Sequence, residues 1–217
     1  MKEIIDSVRQ HVKDHFQGEG TGHDWYHINR VVNVALRIGQ EEGANPDIVE
    51  LGALLHDIAD HKFHNNDITE GPKRAKAIIL EFGGDEGLAD AIATIVTETS
   101  FKGAGVKTPV SSIESAVVQD ADRLDAIGAI GIARTFAYGG SKGQPLHDPQ
   151  LKPRTHNSFE EYATTRTSTI NHFHEKLLLL KDRMNTDSGR KMAEERHQFM
   201  EEFFNRFFEE WDGNKSI

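Results

Sequence analysis

The sequence predicts an all-α fold, and three observations lead to this prediction. Apolar residues recur at helical spacing along most of the chain, and no segment has a convincing strand pattern or internal repeat. Capping and breaking residues also divide the chain into pieces of helix length. With 217 residues the chain can bury one sizeable core and does not require a second domain. We therefore expect residues 1–217 to form a single helical bundle.

Capping and breaking residues set the boundaries of the predicted helices. Asp24 can cap a helix that ends near Gly43, and Asn45-Pro46-Asp47 can open the next one. Gly83-Gly84 separates two further helices, and residues 126–133 are small and apolar on nearly every side. The expected helices cover residues 2–16, 24–43, 46–57, 70–82, 86–99, a segment from 111 into an acidic cluster at 120–125, 158–184 and 187–211, with a long loop over 139–157.

Composition excludes several classes of protein. The chain has 25 Lys and Arg against 35 Asp and Glu, a formal charge of −10, which argues against broad binding to nucleic acid or anionic membranes. It has no cysteine, so disulfides and thiolate metal sites are excluded, and a reducing compartment is consistent with this. The N-terminal residues lack the apolar core of a signal peptide, and no stretch reaches membrane-spanning length. We expect a cytoplasmic protein.

A histidine–aspartate doublet, His56-Asp57, follows the apolar run 48–55. Burying such a pair is costly unless the charge is paired or coordinates a metal. His27 lies one turn inside an earlier helix, and Arg30 is on the same side because it is three residues further on. Two polar residues stacked on an inward face indicate a site.

A second doublet, His23-Asp24, lies in a glycine-rich turn with no apolar run before it. Its alternative interpretation is a helix cap beside an exposed histidine.

The acidic cluster contains Asp120, Asp122, Arg123 and Asp125. On a helix Asp122 and Asp125 share a face, whereas Asp120 is on roughly the opposite side. The small apolar residues after the cluster predict a tightly packed central helix, which would bring these carboxylates near the core. A surface network in which the aspartates pair with Arg123 is the alternative.

Three local strings together resemble the H…HD…D signature of the HD-domain phosphohydrolase superfamily, in particular its bacterial stand-alone members, some of which cleave nucleotides. The strings are His27-Ile28-Asn29-Arg30-Val31, Leu54-Leu55-His56-Asp57-Ile58-Ala59-Asp60 and Asp120-Ala121-Asp122-Arg123-Leu124-Asp125-Ala126. The motifs cover about residues 20–140, with the helices over 158–211 packing on that core. The resemblance implies a helical HD-type domain with one divalent cation held by His27, His56, Asp57 and Asp122. Asp120 is the competing choice for the last ligand.

The resemblance also implies a chemistry. Imidazole and carboxylate ligands suit Mn²⁺, Fe²⁺, Ni²⁺, Co²⁺ or Zn²⁺, with Mg²⁺ also compatible. Water activated by the metal would hydrolyse a phosphoester or phosphoanhydride bond, most plausibly in a nucleotide. Asp57 would act as a ligand, and Asp60 would orient or deprotonate the attacking water, or else be a surface carboxylate.

Several cationic side chains are candidates for contacting the substrate, although each is also a plausible solvated or salt-bridged side chain. They are Arg30, Lys62, Arg123, Lys142, Lys152 and Arg154, of which the last three lie in the 139–157 loop. We expect His61, His64 and His147 to be exposed, and the alternative is that they bind a second metal. A di-iron oxygenase on the same scaffold and a non-catalytic sensor that retains the metal are the competing functions.

The C-terminal aromatic residues recur at helical spacing: Phe199, Phe203, Phe204, Phe207, Phe208 and Trp211. Core packing explains such a stripe, and a homodimer surface is the second explanation.

Overall fold

A computed structural model describes residues 1–17, 24–59, 69–99, 108, 110–153 and 167–213. Within these ranges the regular elements are helices and no strand occurs, so the all-α prediction is confirmed. The α-helices are α1 Lys2–His15, α2 Trp25–Glu42, α3 Pro46–Leu55, α4 Glu70–Glu81, α5 Glu86–Thr99, α6 Ile113–Asp125, α7 Gly128–Ser141, α8 Thr169–Glu175 and α9 Asp187–Trp211. None of them is long and apolar enough to cross a membrane.

The chain divides into two compact units, residues 1–122 and 123–217. In the first unit α3 packs against α1, α2 and α5, and α4 packs against α5. Gly52 allows the close approach of α3 to α5, because a Cβ at this position would lie 2.9 Å from Cγ2 of Ile95. The surrounding core is apolar and fully buried, which makes α3 the central helix of this unit.

The predicted helix caps of the first unit are confirmed. The Asp24 side chain accepts a hydrogen bond from the His27 N–H and begins α2. Asn45 caps α3 in the same way, with its side chain accepting from the Asp47 N–H at 3.0 Å. Gly43 ends α2 at φ 72°, a left-handed conformation that glycine adopts without the strain a Cβ would introduce.

Hydrogen bonds join the start of α6 to α5 and to the cap of α3. Glu98 on α5 accepts hydrogen bonds from the Ser115 hydroxyl and the Ser111 N–H. Glu114 accepts from the Asn45 N–H at 3.0 Å. Partial burial acts to raise the pKa of Glu114, but the hydrogen bonds it accepts outweigh burial and leave that pKa below its ordinary value. These bonds fix the first turn of α6 within this unit.

An aromatic core holds the second unit together. Phe136 on α7 contacts the rings of Phe173, Phe203 and Phe207 at centroid distances of 5.9–6.4 Å. Phe204 is buried against Phe173, with ring centroids 4.9 Å apart. Core packing therefore accounts for much of the C-terminal stripe. Its outermost members, Phe199 and Trp211, remain 47% and 45% exposed.

The predicted helix over 158–184 is wrong in its described part, because residues 167–184 form the short helix α8 and two 3₁₀ turns. Ser168 starts α8 by accepting from the Asn171 N–H, and Lys176 leaves the helical region at φ −141°. The predicted loop over 139–157 also begins later than expected, because α7 extends to Ser141. Residues 154–166 lie outside the described ranges.

Candidate metal centre

His27 is presented by the first turn of α2. It is the third residue after the cap, and its backbone N–H is the donor that Asp24 accepts at 2.8 Å. The side chain is buried, with 1% of its surface exposed. The cap therefore fixes the turn from which this imidazole reaches the interior.

His56 lies immediately after α3, at its C-terminal end. Its Nδ1 is 2.8 Å from the carbonyl oxygen of Ala53. Since a carbonyl oxygen can only accept, Nδ1 carries the proton, and Nε2 of the neutral ring keeps its lone pair. This hydrogen bond sets the orientation of the ring and makes Nε2 available as a ligand.

The two histidines and two carboxylates converge. The Nε2 atoms of His27 and His56 are 3.3 Å apart. Oδ2 of Asp57 lies 3.4 Å from Nε2 of His27 and 3.6 Å from Nε2 of His56. Oδ1 of Asp122 lies 3.6 Å and 3.7 Å from the same two nitrogens. Two imidazole nitrogens therefore face two carboxylate oxygens that come from different parts of the first unit.

These separations fit a divalent cation. Donors that surround one cation at about 2.1 Å lie about 3.0 Å apart along an octahedral edge and about 3.4 Å apart along a tetrahedral edge. The measured separations of 3.3–3.7 Å are close to those values. The donor types, neutral imidazole and carboxylate, are those that first-row divalent metals prefer. The ligand atoms of His27, His56 and Asp57 all lie within 4.8 Å of one another, and Asp122 is not part of this compact group.

Burial is uneven around the cluster. Both imidazoles are almost fully buried, whereas the side chains of Asp57 and Asp122 are 20% and 31% exposed. The histidines thus form the closed side of the cluster. Its carboxylates lie on the more exposed side.

Asp120 and Asp122 differ in their position relative to the two histidines. The carboxylate of Asp122 lies within 3.7 Å of both histidine nitrogens. Asp120 is two residues earlier, about 200° around the helix, and is fully buried. The surface-network alternative does not describe this cluster, because Asp125 is also buried, beside Arg134.

The other candidate residues have varied surroundings. Arg30 is half-buried one turn beyond His27, and Arg123 donates a hydrogen bond to the carbonyl oxygen of Arg183. The Lys142 ammonium lies 5.6 Å from the centre of the Tyr138 ring. The remaining candidates are an exposed Lys152, a half-buried His147 against the Phe208 and Trp211 rings, and five residues outside the described ranges, Asp60, His61, Lys62, His64 and Arg154.

Sequence reasoning did not predict the hydrogen bond from His56 to Ala53. Its sequence signal is weak, because any residue three positions before a histidine offers a carbonyl oxygen. His23 of the second doublet lies outside the described residues, while Asp24 has the capping role that the alternative interpretation gave it.

The fold and the cluster define a helical protein with a histidine–aspartate centre, and comparison with known proteins assigns its family. The HD domain family matches residues 24–127, and the chain belongs to the HD superfamily of hydrolases. It is 41% identical to the protein YpgQ of Bacillus subtilis (strain 168) over 207 residues, which cover 94% of this chain and 92% of YpgQ.

Two solved structures are similar over nearly the whole chain. An HD-superfamily hydrolase from Bacillus thuringiensis has a TM-score of 0.77 and 40% identity, with 97% of this chain and 98% of the other covered. The structure of Bacillus subtilis YpgQ in complex with ADP has a TM-score of 0.74 and 37% identity, with 97% and 100% covered.

Proposed function

We propose that this protein is a metal-dependent phosphohydrolase that cleaves a phosphoester or phosphoanhydride bond of a nucleotide. The observation that carries the proposal is that a carboxylate oxygen of Asp57 and one of Asp122 each lie 3.4–3.7 Å from the Nε2 atoms of both His27 and His56. Membership of the HD superfamily of hydrolases supports the same reaction class.

The residues that would hold the cation are His27, His56, Asp57 and Asp122. When bound, a divalent cation lowers the pKa of coordinated water and stabilises charge on phosphoryl oxygens. The chain supplies the rest: the bond to Ala53 keeps His56 in the ligand tautomer, and the buried imidazoles exclude water from one side of the cluster.

The candidate substrate is a nucleotide di- or triphosphate, and the complex of YpgQ with ADP supports a nucleotide ligand. Arg30 is suited to a phosphate contact because it lies one helical turn beyond His27, on the same side of α2. We retain Asp60 as the residue that orients or deprotonates the attacking water. The products distinguish two activities: a phosphatase releases phosphate, and a pyrophosphohydrolase releases pyrophosphate.

The test is a screen of nucleoside mono-, di- and triphosphates with Mn²⁺, Co²⁺, Ni²⁺ and Mg²⁺, with products separated by anion-exchange chromatography. Wild-type protein should release phosphate or pyrophosphate, lose activity with a chelator and regain it with Mn²⁺. His56→Ala should be inactive, whereas His11→Ala should retain activity, because His11 packs against Phe82 elsewhere in the first unit. Full activity of His56→Ala, or no cleavage with any metal, would overturn the proposal.

A further inference from the structure

Three aspartates lie near the C-terminal end of α6, although negative charge is unfavourable at this end of a helix. Asp120, Asp122 and Asp125 all lie within the final six residues of the helix, and Arg123 is the basic residue of that turn. The C-terminal end of a helix carries a partial negative charge and carbonyl oxygens without helical partners. Carboxylates at this end therefore favour fraying of the turn that carries Asp122.

Arg196 on α9 reaches this end of α6. Its Nη1 donates a hydrogen bond to the carbonyl oxygen of Leu124, which also accepts the Ile127 N–H at 3.2 Å just beyond the helix. The aliphatic stem of Arg196 crosses Gly128, where a Cβ would lie 3.0 Å from its Cγ. Gly128 is also left-handed, at φ 73°. A glycine at this position thus provides the space through which the guanidinium reaches α6.

Arg134 on α7 supports the same turn through Asp125. Its Nη1 lies 2.6 Å from Oδ2 of Asp125 and 3.4 Å from the carbonyl oxygen of that residue. Asp125 is only 3% exposed, so its charge depends on a partner of opposite sign. Two guanidinium groups, from two different helices, thus bind the end of α6 in addition to the backbone N–H groups of Ala126 and Ile127.

We propose that Arg196 is a positioning residue for the metal centre, with Arg134 acting beside it. Both hold the last turn of α6, and Asp122 lies two residues before the carbonyl that Arg196 binds. Loss of that hydrogen bond frays the turn, and the Asp122 carboxylate then spends less time facing His27 and His56. This inference rests on the proposed function, because it requires that the four side chains bind a divalent cation.

The test is Mn²⁺ affinity of the full-length protein, measured from the electron paramagnetic resonance signal of free Mn²⁺. Arg196→Met keeps an unbranched stem over Gly128 and removes the guanidinium. We expect its Kd for Mn²⁺ to rise at least about tenfold, as is typical when a residue that orients a metal ligand is lost. Arg206→Met is the matched control, because Arg206 is on the same helix, is 61% exposed and pairs only loosely with Glu209 at 3.6 Å and Glu210 at 4.0 Å. It should bind like wild type.

Arg196→Lys is the second variant. It keeps the positive charge and the aliphatic stem but replaces the planar guanidinium by an ammonium group. Its Kd should be more than twofold above that of wild type and below that of Arg196→Met. A folded Arg196→Met with a Kd within twofold of wild type overturns the inference, even if its melting temperature falls. If Arg196→Met does not fold, the same result for Arg196→Lys overturns it. Wild-type protein that binds no Mn²⁺ would instead overturn the proposed metal site itself.

Discussion

Asp24 provides a direct test of whether the fold positions a metal ligand. Its carboxylate accepts the His27 N–H at 2.8 Å and so holds the first turn of α2. Replacing an N-cap residue by Ala costs about 1 kcal/mol. In Asp24→Ala the first turn of α2 would fray. If metal binding must re-form this turn, the same free energy is subtracted from the free energy of metal binding. Because about 1.4 kcal/mol corresponds to a tenfold change in affinity, Asp24→Ala should raise the Kd for Mn²⁺ about fivefold.

Asn45→Ala is the control for the Asp24 experiment. Asn45 caps α3 at the end opposite His56, so its loss should lower the free energy of unfolding by a similar amount and leave Mn²⁺ affinity within twofold. Asp24→Asn keeps the acceptor and should restore affinity. Stability would be measured by urea unfolding and affinity by calorimetric titration. An Asp24→Ala protein that is less stable but binds Mn²⁺ like wild type would refute the reasoning.

Three further predictions concern ligand, substrate and pH. Asp57→Ala should abolish metal binding and hydrolysis with a native circular dichroism spectrum; turnover at the wild-type rate, free of contaminating phosphatase, would contradict the mechanism. Joint replacement of Lys142, Lys152 and Arg154 by Ala should raise KM for a nucleotide with little change in kcat, and unchanged kinetics with metal bound would remove these residues from substrate binding. Burial, and secondarily a nearby lysine, lowers the pKa of His172 from 6.5 to about 3. Between these pH values the unfolded chain binds a proton that the folded chain does not, so the free energy of unfolding should fall with decreasing pH by up to about 1.4 kcal/mol per unit. Urea unfolding of His172→Gln should show a shallower fall, and parallel profiles would argue against the lowered pKa.

The helix boundaries were predictable where local chemistry determines them. Asp24 and Asn45 cap α2 and α3 through their own side chains, and α9 spans the predicted residues 187–211. Local pattern failed at 158–184, because the apolar residues around Leu177 continue a helical period although the backbone departs from the helix at Lys176. Periodicity describes which side chains are buried and is insensitive to such a break.

The residue types that form the candidate site were also predictable from the sequence. The hydrogen bonds that hold these residues in place were not. The strings around His27, His56 and Asp122 identify side chains suited to a cation, and these side chains do converge. The tautomer of His56 depends on a carbonyl oxygen, which every residue has. The contact between Arg196 and Leu124 joins residues 72 positions apart and depends on space at Gly128. A single sequence contains no local signal for such a contact.

The most direct test of the central claim is a crystal structure grown with Mn²⁺, with anomalous diffraction recorded to locate the metal. We predict one anomalous peak bounded by Nε2 of His27 and His56 and by the carboxylates of Asp57 and Asp122, each about 2.0–2.3 Å from the metal. A peak ligated by Asp120 in place of Asp122 would contradict the ligand assignment. A structure with full-occupancy Mn²⁺ elsewhere and none between the two histidines would contradict the metal centre.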